Sequence, residues 1–341
     1  LKPYSSARAE KQAADDAVYL DANESPWSGN TLADGSEDHR YPEPQPRELI
    51  LELSKFYGVD ADQILLSRGV DEGIDTVLRT FCDPGQDNIV IHPPTYGFYE
   101  VSAGIQGAHV KYAPLDADFQ LNPSRVLDVV DSNTKLLFLC NPNNPTGSLL
   151  KRNTIRGLLE ALNKRCMVVL DEAYIEFSES ETFTDELNHY PHLIIMRTFS
   201  KGWGLAGLRL GVVLAAPALV KVMRKVLAPY PINRPASDTL AKLLRSDAAV
   251  RMRQRVQWLK SLRIELISEL KKIPSIIKVF PSHTNFILIE VKNPSRLTRD
   301  LNDLGIRIRD RSSEVAGCVR ITVGKEEDNR NLLDQLWKAL S

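Results

Sequence analysis

Apolar runs at residues 136–140, 167–170, 193–196 and 208–214 are as short as strands, and most lack the polar alternation of a sheet with one wet face. Such runs fit strands covered on both sides. Between some of them the spacing turns helical, as at 154–162. Upstream, Leu49, Ile50, Leu53 and Phe56 share one face of an expected helix, reached through the rigid Tyr41-Pro-Glu-Pro-Gln-Pro46. A further helix is expected over 71–81, and a short strand over 88–91 that ends at His92-Pro-Pro-Thr. Strand and helix in alternation predict an α/β fold, a mostly parallel sheet covered by helices.

The pattern breaks at Ala228-Pro-Tyr-Pro-Ile-Asn-Arg-Pro235. A long polar helix with breaks is expected over 236–272, bridging two domains, its Lys and Arg stripe a solvated face. The remainder reads strand (276–280), strand (286–291), helix, strand (306–309), strand (319–323), helix, which is a smaller α+β domain. Residues 1–36, punctuated by Pro3, Pro26, Gly29 and Gly35, read as an extended arm with one strand-like piece at 18–20. The expected division is therefore an arm (1–36), a large domain (37–240), and an interdomain helix with a small domain (241–341). No internal repeat or low-complexity tract interrupts it.

Length and composition agree with this division. A chain of 341 residues suits about two domains at ~100–200 residues each. A formal net charge of -1 gives no general electrostatic reason to expect nucleic acid or an anionic membrane as partner. The four cysteines are far apart with no Cys-x-x-Cys pair, which argues against a zinc site or disulfide framework and for a reducing, cytoplasmic compartment. No apolar stretch reaches the ~18–20 residues that span a bilayer, and the amino terminus has no hydrophobic signal core. The chain opens at Leu1, so a further amino-terminal segment is an expectation.

Three polar signatures follow apolar runs directly. Asn141-Pro-Asn-Asn-Pro-Thr-Gly147 follows 136–140, Asp171-Glu-Ala-Tyr174 follows 167–170, and Thr198-Phe-Ser-Lys201 follows 193–196, with Arg209 eight residues after the lysine. The carboxyl ends of strands in an open α/β sheet form its ligand crevice. Alone, Lys201 would be a solvated loop charge and Asp171 a turn or cap residue. Their grouping argues instead for a chemical handle. Gly202-Trp-Gly-Leu-Ala-Gly207 satisfies the dinucleotide fingerprint, yet a strand rather than a helix is expected after it, and residues 208–237 hold no acidic residue. That reading fails. His189 and His192 flank Pro191, have no accompanying carboxylate motif, and are expected to be surface residues; no metal site is expected.

Together these segments resemble the fold-type I pyridoxal-phosphate aminotransferases. The resemblance implies that Lys201 holds the cofactor aldehyde covalently and moves a proton, a task suited to an amine with a lowered pKa. It implies that Asp171 faces the pyridine nitrogen, and that Tyr174 and Asn144 reach the ring oxygen. Tyr96, after Pro93-Pro-Thr, would stack on the ring; a core tyrosine is the alternative. Thr198, Ser200 and Arg209 would hold the phosphate beside the amino end of the helix opened by Gly69, Val70 and Asp71, where backbone N–H groups favour an anion.

The resemblance is closest to the histidinol-phosphate aminotransferases. Leu1-Lys-Pro-Tyr4, Asn23-Glu-Ser-Pro26, Arg40-Tyr41-Pro, Ser67-Arg-Gly-Val-Asp-Glu72 and Cys318-Val-Arg320-Ile-Thr-Val-Gly324 carry it. It implies transfer of an amino group between L-histidinol phosphate and 2-oxoglutarate, giving imidazole acetol phosphate and glutamate in histidine biosynthesis. It implies that Arg320 binds a substrate anion with Arg309 as helper, and that Tyr4 and Asn23 sit on the covering arm. It implies a homodimer in which Tyr41 reaches the neighbouring site. A threonine-phosphate decarboxylase or an aromatic amino-acid aminotransferase is the nearest alternative, and a non-catalytic regulator on the same fold is the reading from another class.

Overall fold

The computed structural model describes residues 20–29 and 38–340. Most of the arm expected at 1–36, including Tyr4 and most of the strand-like 18–20, lies outside the described residues. The seven-stranded sheet is built from β1 (Ile64–Ser67), β2 (Asn88–Ile91), β3 (His109–Tyr112), β4 (Thr134–Cys140), β5 (Met167–Asp171), β6 (Leu193–Thr198) and β7 (Gly211–Ala215). Its order is β1-β7-β6-β5-β4-β2-β3. The run from β6 to β3 is parallel, while β7 is antiparallel to both β6 and β1.

Alternation within these strands separates two cores. Leu137, Leu139, Val168, Leu170, Ile195, Val212 and Leu214 pack on one face. Leu136, Phe138, Val169, Ile194, Met196 and Val213 pack on the other. Both faces are dry, which explains the unbroken apolar runs. Each fully buried Leu, Ile or Val contributes roughly 1.5–3 kcal/mol relative to exposure. The first face is covered by α1 (Arg47–Tyr57), α4 (Pro123–Val129), α5 (Arg152–Leu162) and α7 (Arg234–Arg245); the second by α2 (Gly69–Phe81), α3 (Phe98–Gln106) and α6 (Pro217–Met223).

Helix α8 (Ala248–Leu270) leads to a four-stranded antiparallel sheet of order β10-β11-β9-β8. Its strands are β8 (Ile276–Val279), β9 (Phe286–Val291), β10 (Arg309–Asp310) and β11 (Cys318–Thr322), with α9 (Pro294–Asp303) and α10 (Glu326–Leu340) beside them. The expected 236–272 helix is thus two helices, broken at Ser246-Asp247. The strand expected from 208 begins only at Gly211, because Arg209 adopts the left-handed region at φ 52. The strand expected over 306–309 shrinks to Arg309–Asp310. β1 and β3, both outer strands of the sheet, have no counterpart among the expected elements.

One close approach locks the site's frame. A Cβ at Gly211 would lie 2.5 Å from the carbonyl carbon of Gly69, so the start of β7 touches the start of α2 backbone to backbone. Gly211→Ala is expected to lower unfolding free energy by about 2–3 kcal/mol through overpacking. Gly207→Ala, whose added carbon meets nothing within 4 Å, is expected to stay within about 0.5 kcal/mol of the parent. Urea unfolding of both variants checks this, and equal midpoints would contradict it.

Candidate active site

The carboxyl ends of β4, β5 and β6, the amino end of α2, and β11 of the small sheet enclose a cavity of about 250 Å³. Gly69, Val70, Asp71, Tyr96, Asn144, Asp171, Tyr174, Thr198, Ser200, Lys201, Arg209 and Arg320 all line it. Sequence reasoning missed Cys140, Ala173, Ala206 and Arg311, which line it too. Three expected residues lie elsewhere among the described residues. Asn23 is exposed, at φ 54. Tyr41 is exposed and stacked on Tyr230 at 4.4 Å. Arg309 stands opposite Arg320 in the β10–β11 ladder but is exposed over a separate groove. Arg311, two residues on, takes the place in the cavity wall that Arg309 was expected to hold.

Asp171 ends β5 on the face that holds Phe138 and Tyr99. Its side chain is buried, and it accepts hydrogen bonds from the Tyr99 hydroxyl at 2.7 Å and the Ala173 amide at 3.0 Å. Burial pushes its pKa up to about 6; the two hydrogen bonds and Lys201 oppose that rise, and Asp71 adds to it. Tyr99 itself is fully buried, stacked on Phe138 at 4.8 Å. It is a positioning group with no sequence motif of its own, though it lies one helical turn after the Tyr96 motif.

Lys201 leaves the turn after β6, its Nζ 5.6 Å from the Tyr174 ring centre. Burial lowers its pKa, and the positive charges of Arg320 and Arg209 lower it further against the pull of Asp71 and Asp171. The residue nonetheless remains exposed to solvent. Tyr174 is buried, edge-on to Phe286 at 5.2 Å, and burial raises its pKa.

At the α2 end, Arg209 Nη2 lies 3.3 Å from an Asp71 carboxylate oxygen, and Tyr96 donates to the other at 2.9 Å. The Arg209–Asp71 pair is half-exposed and adds little stability; its effect is to aim the guanidinium over the helix start. Only glycine serves at 69, where φ is +79 and a Cβ would lie 2.9 Å from Arg209 Nη2. The first amides of α2, the Ser200 hydroxyl and Arg209 thus converge as an anion cradle.

The 141–147 loop is fixed by its own amides. Asn143 bridges Thr95, the Pro94 carbonyl and Thr146, each at 2.8 Å, and Asn141 accepts from the Leu150 amide at 2.8 Å. Asn141–Pro142 and Asn144–Pro145 are cis. Asn144 lines the cavity, where its side-chain oxygen accepts from Arg320. Arg320 stacks over Phe286 at 5.0 Å, and burial, then Arg311, depresses its pKa. The Nε atoms of Arg311 and Arg320 are buried without a partner. His192, expected at the surface, is half-buried and within 2.9 Å of the Leu159 carbonyl; His189 is exposed. No group able to hold a metal ion occurs among the described residues.

Residues 7–336 match the family described as aminotransferase class I and II. The chain is 41% identical over 338 residues to a histidinol-phosphate aminotransferase of Shigella boydii, covering 98% of this chain and 94% of that one. The solved histidinol-phosphate aminotransferase from Clostridium acetobutylicum superimposes with a TM-score of 0.81 at 26% identity, covering 88% of this chain and 90% of that chain. The L-threonine-O-3-phosphate decarboxylase of Porphyromonas gingivalis does so at 0.76 and 25%, covering 88% and 90%. Backbone likeness alone therefore does not separate the two reactions.

The raised pKa of Asp171 gives the ligand-free chain a signature. Its folded value, about 6, exceeds the ordinary 3.8, so its contribution to stability is full below pH ~4 and is lost as pH rises through ~6. That loss is on the order of 3 kcal/mol at 1.36 kcal/mol per unit. Asp171→Asn removes the titration. Relative to the parent, the variant is expected to gain stability between pH 4 and pH 8, read by chemical unfolding at both. A difference independent of pH would contradict the assignment.

Proposed function

This chain belongs to the aminotransferase class I and II family, and on that premise we propose that it transfers an amino group between L-histidinol phosphate and 2-oxoglutarate with pyridoxal phosphate as cofactor. The observation that carries the proposal is the meeting, in one cavity, of the Lys201 amine, the buried Asp171 carboxylate and the Arg320 guanidinium. Identity to the Shigella boydii enzyme over nearly the whole chain favours this reaction over the decarboxylase.

The residues present suit the cofactor. A cradle of α2 amides, Ser200 and Arg209 matches a phosphate, and Gly69 leaves room for the arginine that would hold it. Thr198 accepts from the Ser200 amide at 3.1 Å and sets that turn. Lys201 would hold the aldehyde, Asp171 the ring nitrogen, Asn144 and Tyr174 the ring oxygen, and Tyr96 one ring face. When bound, the cofactor withdraws electrons from the substrate α-carbon.

The chain's own groups do the rest. Lys201 Nζ, its pKa lowered by burial, takes a proton and returns it at working pH. Tyr99 and the Ala173 amide keep Asp171 ionised against its burial. Arg320, and not the exposed Arg309, takes the substrate anion, whether carboxylate or phosphate ester. The proposed division keeps 1–36 as an arm, 37–240 as the large domain and 241–341 as the interdomain helix and small domain. Tyr41, exposed beside Tyr230 and away from its own cavity, reaches the cavity of a second copy in a homodimer. No described helix is long and apolar enough to cross a membrane, and we assign the chain to the cytoplasm.

Purified protein with L-histidinol phosphate and 2-oxoglutarate is expected to form glutamate. Lys201→Ala is expected to lower kcat by about 10⁴-fold or more. Release of carbon dioxide from threonine phosphate without an oxo-acid acceptor would instead establish the decarboxylase, and no turnover of either substrate by cofactor-loaded protein would defeat both readings.

A further inference from the structure

Beneath the cavity, on the opposite face of the seven-stranded sheet, lies an ion cluster that the proposed reaction does not use. Arg197 of β6 is buried, with Nη2 2.8 Å from Glu176 Oε1 and Nη1 3.3 Å from Glu172 Oε2. Glu172 is wholly buried and also accepts from the Thr182 hydroxyl at 2.5 Å and the Phe183 amide at 2.9 Å. The Tyr57 ring lies 5.2 Å below the guanidinium.

What the cluster joins is more telling than its strength. Glu172 follows Asp171 directly, and its amide bonds the Met196 carbonyl of β6 at 2.9 Å. Glu176 stands two residues past Tyr174. Its side chain is pressed on the lysine turn, since a Cβ at Gly202 would lie 3.0 Å from both Glu176 Cβ and Cγ. Arg197 itself precedes Thr198. One guanidinium therefore ties the segment that carries both Asp171 and Tyr174 to the strand end that leads into Lys201. A buried ion pair adds little net stability over apolar packing, but a planar fork with two carboxylates fixes direction.

We propose that Arg197 is a positioning residue whose grip on Glu172 and Glu176 holds the Lys201 turn in register with the strand end bearing Asp171. The inference rests on the function proposed above. The amine that would be displaced is faced by Asp171 of β5, Tyr174 after it, Asp71 of α2, Arg209 before β7 and Arg320 of β11. Loosening the turn hydrates the Lys201 nitrogen, free or joined to the cofactor, which favours its protonated form and moves its titration upward.

The test uses cofactor-loaded protein and reads the pH midpoint of cofactor absorbance beside kcat per bound cofactor. Arg197→Met is expected to raise the midpoint by about half a unit or more and to lower kcat by roughly 10-fold or more, with KM within about threefold. Arg197→Lys is expected to recover most of both. Glu176→Gln, of equal size, is expected to move the midpoint in the same direction and decides the matter if Arg197→Met does not fold. Variants that bind less cofactor but keep the parent's midpoint and kcat per cofactor would reduce the cluster to a fold-stabilising role and overturn the inference. A parent protein with no titrating cofactor band would overturn the proposed function first, and this inference with it.

Discussion

Asp171 and Glu172 are neighbours in the chain, and their side chains leave the end of β5 on opposite faces of the sheet because successive strand residues must. One carboxylate enters the cavity under Tyr99; the other enters the core and meets Arg197. Both faces of the sheet are dry, so neither charge can be left to water. Each is instead met by named donors, and of these Tyr99, Ala173 and Arg197 sit on segments that also carry cavity residues. The placement of the reactive groups is thus bound to the requirement that two adjacent buried carboxylates be satisfied.

Charge inside the cavity follows a similar economy. Asp71 is engaged by Arg209 and Tyr96, Asp171 by Tyr99, and Arg311 by Glu314 at 2.9 Å, which leaves Lys201 and Arg320 facing one another across a small volume. Like charges depress the proton affinity of Lys201 and Arg320 beyond what burial does alone. Such a cavity favours anions at both ends, and a phosphate-bearing cofactor with an anionic substrate answers that imbalance.

The parts legible in the sequence are those where an apolar run can only be a strand and the next polar residue can only be its exit. Lys201, Asp171 and Asn144, which follow β6, β5 and β4, are of this kind, whereas Arg209 precedes β7 and is reached through its spacing from Lys201. Tyr99 is not, because a helical tyrosine points wherever packing sends it, and hydrophobic spacing does not tell a core ring from a hydroxyl that steadies a carboxylate. Arg311 escapes notice because β10 is two residues long, too short for a period to choose between it and Arg309. The antiparallel course of β7 is likewise silent, since apolar content carries no direction. Arg197 and Glu172 look like ordinary charges beside a strand until the sheet shows that both point inward.

Lys201 and Asp171 come from the seven-stranded sheet, whereas Arg320 and Arg311 come from or beside the four-stranded one, which meets the 141–147 loop through the Asn144–Arg320 hydrogen bond. On the proposed function, the proton-handling groups and the anion-binding groups thus come from different sheets. On that reading a substitution at Arg320 would be felt twice, in which anion is welcomed and in the Lys201 titration that the Arg320 charge helps to set.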